Sequence, residues 1–302
     1  MATTGGAWRA ERGSLGTPEA NVPGPGSLPR PVGEKAPRRS PWQWFDRYLG
    51  KGTYHWLRER LDPQIQYSQF VYAEILKELV AADTRWLDAG CGHRILEARL
   101  HPDEEDMVSR AALAVGCDLV AGSVRRHRSL RNLAVCCLDR LAFQDGSFNL
   151  ATLNMVAEHL ERPEAVMAEL ARVVASNGQV VSHTPNSVAY QACLARLVWG
   201  ILPKGLVYKL ISFLEHRKPE DVFPTFYRAN SREQLRRLMS MAGFVEQQVQ
   251  MVFERPVLYF FAPLSALEML IVRLFRWLGL GEFCASTIVG VYRRAVGPTA
   301  KM

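Results

Sequence analysis

The chain has 302 residues, 48% of them hydrophobic, which is enough for one large domain or two small ones with a true core. Its net charge of +7 is modest for that length, and Lys and Arg usually form a solvated face, so nucleic acid is not an expected partner. The six cysteines, Cys91, Cys117, Cys136, Cys137, Cys193 and Cys284, form no C-x-x-C pair, which points away from a disulfide framework or a zinc site and toward free thiols in a reducing, cytoplasmic setting.

Residues 1–40 are rich in Gly, Pro, Ser, Ala and Arg and nearly free of large apolar side chains. Such a segment buries too little surface to offset its ordering entropy, so a disordered tail is expected there. It lacks the apolar run of a secretory signal, and Glu11, Glu19 and Glu34 argue against a transit peptide. Residues 41–302 are expected to form one domain. Apolar residues at helical spacing predict a helix over 65–82. "RWLDAGC" then reads as a buried parallel strand ending in glycines. A charged stretch and a helical pattern follow, then a second strand, "AVGCDLV", and a short basic helix over 123–131. "NLAVCCLD" and "FNLATLNM" read as the third and fourth strands. The helix "RPEAVMAELARVVA" follows, then a turn at Ser176-Asn177-Gly178 and a fifth strand, "QVVSHTPN".

After residue 187 the alternation breaks, and residues 187–228 are expected to form a helical cap insertion. Ser231 is placed to cap a helix that ends at Gly243. "FVEQQVQMVF" and "STIVGVYRR" supply the sixth and seventh strands, with an apolar helical insertion at 257–280 between them. That segment is long, but Pro263, Glu268, Arg273 and Arg276 argue against a membrane span. Its polar side, Ser265, Glu268, Val272 and Arg276, is narrow and its apolar side wide. This suits an ordinary packed helix, a cover over a hydrophobic pocket, or peripheral contact with a membrane interface. Strands alternating with helices predict an α/β fold, a Rossmann-like doubly wound sheet of seven strands with parallel pairing. Its ligand crevice lies at the carboxyl ends of the central strands.

The stretch "WLDAGCGHRI" carries two glycines at such an end. A dinucleotide fingerprint needs a third glycine where Ile95 stands, and the Gly-Lys-Ser/Thr of a phosphate loop is absent. The carboxylate of Asp88 opposes a pyrophosphate and suits a cationic ligand.

Together these motifs resemble the class I S-adenosylmethionine-dependent methyltransferases, with closest likeness to the small-molecule branch of ubiquinone and menaquinone biosynthesis. "LDAGCG" is similar to that family's first motif, and Asp118 to its ribose-binding acid. "LAFQDGSFNLATLNMVAEHL" and "ELARVVASNGQVVSHTPN" are similar to later motifs, at the same order and spacing. The likeness covers about residues 65–186 well and 221–294 loosely. It implies S-adenosylmethionine as cofactor, held by Asp88, Gly90, Cys91, Gly92, Asp118, Leu138 and Asn154. Arg94 and Cys137 depart from the family pattern: Arg94 replaces a small residue, and Cys137 an adenine-facing acid.

Methyl transfer from a sulfonium needs alignment and exclusion of water, and needs a base only if the acceptor must lose a proton. His183 is the first candidate, His216 the second, and His159 of "EH" the third. The family's metal-binding E-x-x-E-H has Met155 at its first position, so no metal is assigned. Aromatic residues in the cap, Phe226 among them, suit a small hydrophobic acceptor. Alternatives are an RNA-ribose or protein methyltransferase, and a non-catalytic methyltransferase-like binding module.

Overall fold

The computed structural model describes residues 51–201 and 224–295. The expected tail at 1–40 and most of the expected cap, His216 included, lie outside the described residues. The first helices are α1 (Lys51–Leu61) and α2 (Ser68–Leu79), followed by β1 (Arg85–Ala89), α3 (His101–Arg110), β2 (Leu113–Asp118) and the single turn α4 (Ala121–Val124). Next come β3 (Asn132–Val135), β4 (Phe148–Asn154), α5 (Pro163–Val173), β5 (Val174–Pro185) and α6 (Tyr190–Ile201). The chain continues as α7 (Arg232–Met241), β6 (Phe244–Val252), α8 (Ala262–Trp277), α9 (Gly281–Cys284) and β7 (Thr287–Arg294).

The strands form one seven-stranded sheet of order β3-β2-β1-β4-β5-β7-β6. The chain works outward from β1 through β2 to β3, then returns to β4 on the other side of β1. This reversal is where an open α/β sheet leaves its ligand crevice. Successive strand residues bury to opposite faces. Trp86 packs with Tyr72, Leu76, Ile95 and Met107 on one face, and Leu87 with Phe148, Met167 and Leu170 on the other. Both faces are therefore apolar, as an inner parallel strand requires. Helix ends follow local chemistry. Pro163 opens α5, and Ser231 Oγ accepts from Gln234 N (3.2 Å) to cap α7.

Three expectations are corrected. Pairing is parallel from β3 to β5, but β7 runs antiparallel to both β5 and β6. The connection through α8 and α9 stays at the carboxyl edge, so the chain enters β7 from that edge and runs back. The basic helix over 123–131 shrinks to one turn. Arg128 is drawn instead to the fully buried Glu104, with Nη2 2.6 Å from Oε2, and Leu96 N donates to the same oxygen at 2.8 Å. Burial alone would raise the Glu104 carboxyl, but Arg128 and Ser129 hold it below its ordinary range. The turn at Ser176-Asn177-Gly178 lies inside the span of β5. Asn177 takes φ 63° there, and pairing with β4 skips from Val174 to Gln179.

Helix α8 does not pack as an ordinary amphipathic helix. Its polar line faces inward: Ser265 is buried, Glu268 accepts from the Val257 and Leu258 amides (2.7 and 3.0 Å), and Arg276 pairs with buried Asp62 at 2.7 Å. No helix among the described residues is long and apolar enough to cross a membrane.

Two predictions follow from buried charges. Asp88 is buried and accepts from Thr152 Oγ1 (2.6 Å), which in turn accepts from Trp86 Nε1 (2.8 Å). Burial, with Glu104 and Asp118 nearby, pushes the Asp88 carboxyl up from 3.8 to about 7. From about pH 4 to about pH 7 the folded chain keeps a proton that the unfolded chain has released. Stability is therefore lost as pH rises through that window, by on the order of 4 kcal/mol. Asp88→Asn keeps the acceptor for Thr152, and melting scans of this variant between pH 5 and 8 are expected to lose that slope. Asp62→Ala strands the Arg276 guanidinium, and is expected to destabilise the fold by about 3 kcal/mol in urea titration.

Candidate active site

The glycine turn after β1 is built from both neighbouring strands. Gly90 N and Cys91 N both donate to Cys117 O of β2, at 2.7 and 3.0 Å. Gly90 takes φ 79°, and a Cβ there would stand 2.5 Å from Val156 Cγ2, so the position demands glycine on two counts. Gly92 takes φ 54° with nothing within 4 Å of its missing Cβ, which leaves its face open. Asp118, at the end of β2, is oriented by two amides: Gly92 N donates to Oδ2 (3.0 Å) and Val120 N to Oδ1 (2.8 Å).

A cleft of about 490 Å³ opens beside this turn, at the reversal of the sheet. One wall carries Asp118, Leu119 and Val120, with Cys137, Leu138 and Asp139 from the loop after β3. The other carries residues from Met155 to Arg162, together with Val166. Pro224 and Phe226 complete the lining. Their segment is hung on the main chain, because Phe226 N (2.8 Å) and Tyr227 N (3.3 Å) both donate to Glu158 O. Glu158 itself is buried, with its carboxyl pushed up by burial and accepting from Thr184 Oγ1 at 3.2 Å. At the margin of the cleft Arg162 pairs with Asp139.

Of the expected cofactor residues, the cleft gathers Gly90, Gly92, Asp118 and Leu138. Three others stand behind the turn and outside the lining of the cleft. Asp88 is buried within the Trp86–Thr152 chain, because the outward turn at Gly90 leaves it under the loop. Cys91 is a core side chain that packs among Leu96, Leu130 and their neighbours. Asn154 fastens the loop from below, donating to Ile95 O at 2.7 Å and pairing its amide with that of Gln69.

The expected catalytic histidines separate in the same way. His183 is fully buried, stacked on Tyr72 at 5.2 Å, with Nδ1 2.7 Å from Asn154 Oδ1. Burial lowers its pKa to about 3, so it stays neutral and sealed from the cleft. Its place on β5, in register with Asn154 of β4, sets it behind the loop and outside the lining of the cleft. His216 lies outside the described residues. His159 lines the cleft, with Nδ1 2.8 Å from Pro224 O, to which it donates, and Nε2 4.0 Å from Glu158 Oε1.

The sequence reading missed Leu119, Val120, Pro224 and the Asp139–Arg162 pair. Leu119 and Val120 were legible as the residues that follow Asp118. The other two depend on contacts between distant segments. The basic run near Arg128 is partly consumed by Glu104, which removes one cation from any nucleic-acid surface there.

The model of a methyltransferase domain matches residues 58–249. No curated protein matches the chain by sequence. Among solved structures, an S-adenosylmethionine-dependent methyltransferase from Methanosarcina mazei is similar, with 14% identity, a TM-score of 0.48, and coverage of 74% of this chain and 98% of that one. The geranyl diphosphate C-methyltransferase of Streptomyces coelicolor A3(2) is also similar, with 16% identity, a TM-score of 0.44, and coverage of 74% of this chain and 79% of that one. With the domain model spanning most of the chain, over the segment that carries the glycine turn, the cleft and five of the seven strands whole, the chain belongs to the methyltransferase-domain family and is an S-adenosylmethionine-dependent methyltransferase.

Proposed function

We propose that this chain transfers the methyl group to a small, hydrophobic acceptor, in the cytoplasm and in peripheral contact with a membrane through residues 257–280. The observation that carries the acceptor class is the lining of the cleft. Beyond the residues given to the cofactor, Met155, Val156, Leu160, Val166, Pro224 and Phe226 supply apolar surface, beside the ionisable Asp139, His159, Glu161 and Arg162. Apolar walls with a few placed polar groups suit a small ligand. Six free cysteines support a reducing compartment.

The residues present fit the cofactor. Gly90 and Gly92 admit close approach of the backbone, and Gly92 leaves its face open. Asp118, pre-set by two amides, is placed to accept from a ribose diol, and Leu119 and Leu138 to flank an adenine. When bound, S-adenosylmethionine supplies a methyl group already activated on a sulfonium. What remains for the chain is alignment and the exclusion of water. Val156, Leu160, Pro224 and Phe226 serve exclusion. His159 Nε2 is the candidate acceptor for a proton if the acceptor loses one.

Titration calorimetry with S-adenosylmethionine and S-adenosylhomocysteine tests the cofactor site. Asp118→Ala is expected to weaken both by at least tenfold, about 1.4 kcal/mol, and unchanged affinity removes Asp118 from the site. Transfer of radiolabelled methyl into cell extract tests the acceptor class. Label is expected in the organic-extractable fraction, whereas label in RNA or protein overturns the small-molecule reading. His159→Gln is expected to lower turnover by about 10²-fold at unchanged cofactor affinity.

A further inference from the structure

The face that α8 shows to water is apolar. Leu264, Leu267, Leu270, Ile271, Leu274 and Trp277 are all exposed, Leu267 by 55% and Trp277 by 80%. Apart from exposed Arg273, the polar residues of the helix are spent inside: Glu268 also accepts from Tyr190 Oη at 2.5 Å, and Arg276 holds Asp62 while lying over Phe253. This is the reverse of the arrangement a water-facing helix adopts. An apolar groove of about 290 Å³ runs beside it, lined by Leu258, Ile271, Phe275 and Tyr190, the first residue of α6. Leu194 and Leu197 extend the exposed apolar surface along α6. Monomeric proteins rarely leave contiguous surfaces of this kind uncovered unless they bind there.

The charges beside this face choose its occupant. Helix α1 packs along α8, and Arg273 Nη1 reaches Leu61 O at 3.3 Å. Arg60 lies over the exposed ring of Trp56 at 4.4 Å, and Arg255 over Tyr259 at 4.5 Å. Arg58, Arg60 and Arg273 thus stand on these two helices, and Arg255 on the segment that leads into α8. Asp62, Glu268 and Glu282 are engaged with Arg276, Tyr190 and Arg232, leaving Glu59 as the remaining carboxylate of α1 and α8. Two copies meeting through this face would set these arginines against each other. An anionic bilayer satisfies both features at once: acyl chains take the leucines, and headgroups take the arginines and exposed indoles.

Topology adds a consequence. Helix α6 leaves the carboxyl end of β5, and α8 follows the end of β6, which runs in the same direction as β5 because both are antiparallel to β7. The apolar face therefore stands at the edge of the sheet that carries the cleft. We infer that the outer face of α8, flanked by α6 and α1, docks on an anionic phospholipid bilayer, and that the acceptor reaches the cleft from that bilayer. This rests on the hydrophobic-acceptor reading above.

The test is flotation of the full chain with phosphatidylcholine vesicles, with and without phosphatidylglycerol, beside the variants Leu270→Asp/Leu274→Asp and Arg255→Glu/Arg273→Glu. Cofactor affinity is measured by calorimetry on the same preparations, to show that each variant is folded. The chain is expected to float with the anionic vesicles, with partitioning about tenfold lower in the leucine variant. The arginine variant is expected to lose its preference for anionic vesicles, as wild type does at high salt. Flotation equal in wild type and the leucine variant, no flotation at all, or a dimer that the leucine variant dissociates, overturns the proposal. A chain that binds cofactor but not vesicles sinks the docking and the membrane contact, and leaves the methyl-transfer reading standing. A chain that binds vesicles but no cofactor sinks the functional reading alone.

Discussion

Two amides share one carbonyl at the heart of this molecule. Gly90 N and Cys91 N meet on Cys117 O, which joins the end of β1 to the end of β2 and bends the chain out of the sheet. The other distances in the cleft depend on that bend. It brings Gly92 N to Asp118 and so aims a carboxylate that would otherwise be free to turn. It presses Gly90 onto Val156, so the turn also fixes the segment after β4. Asn154 closes the arrangement from below by holding Ile95 O. Three strands thus constrain one loop, and a ligand meets a surface formed before it arrives. Such preorganisation suits a reaction whose electrophile needs placing rather than activating.

The parts of the fold legible in the sequence are those set by short-range rules. Trp86 and Leu87 diverge because a strand has a period of two, and Ser231 caps because its hydroxyl lies within reach of Gln234 N. Gly90, Gly92 and Asp118 were legible because a turn and a strand end impose residue types directly. What was not legible depends on partners far along the chain. His183 looks like a site residue at a strand end, and only the packing of Tyr72 from α2 shows it sealed. Asp88 looks outward until the turn at Gly90 is drawn. The basic helix after β2 fails because Glu104, more than twenty residues upstream, captures Arg128.

Helix α8 illustrates the same limit. Its amphipathic pattern was plain in the sequence, but pattern alone carries no sign. Whether the apolar stripe faces the core or the outside is decided by what the polar stripe can reach. Here Asp62 and the Val257 and Leu258 amides offer Arg276 and Glu268 partners inside the protein. Buried polar groups bind strongly to their orientation, because leaving any of them unpaired costs more than exposing a leucine. The interior thus claims the charged side and leaves the leucines outward.

The segment over the cleft is attached by its main chain. Phe226 N and Tyr227 N bond to the carbonyl of Glu158, so this part of the attachment does not depend on side chains, and Arg228 Nη1 adds a bond to Glu161 O at 2.6 Å. Pro224 and Phe226 can therefore be exchanged without releasing the segment, while Glu158 and Thr184 keep the ground beneath it fixed. On the proposed function, evolution can revise the Pro224–Phe226 side of the cleft, given to the acceptor, independently of the glycine turn, where Gly90 tolerates no such exchange. A lineage built on this scaffold can change what it methylates by drift in a few positions while its donor chemistry stays constant.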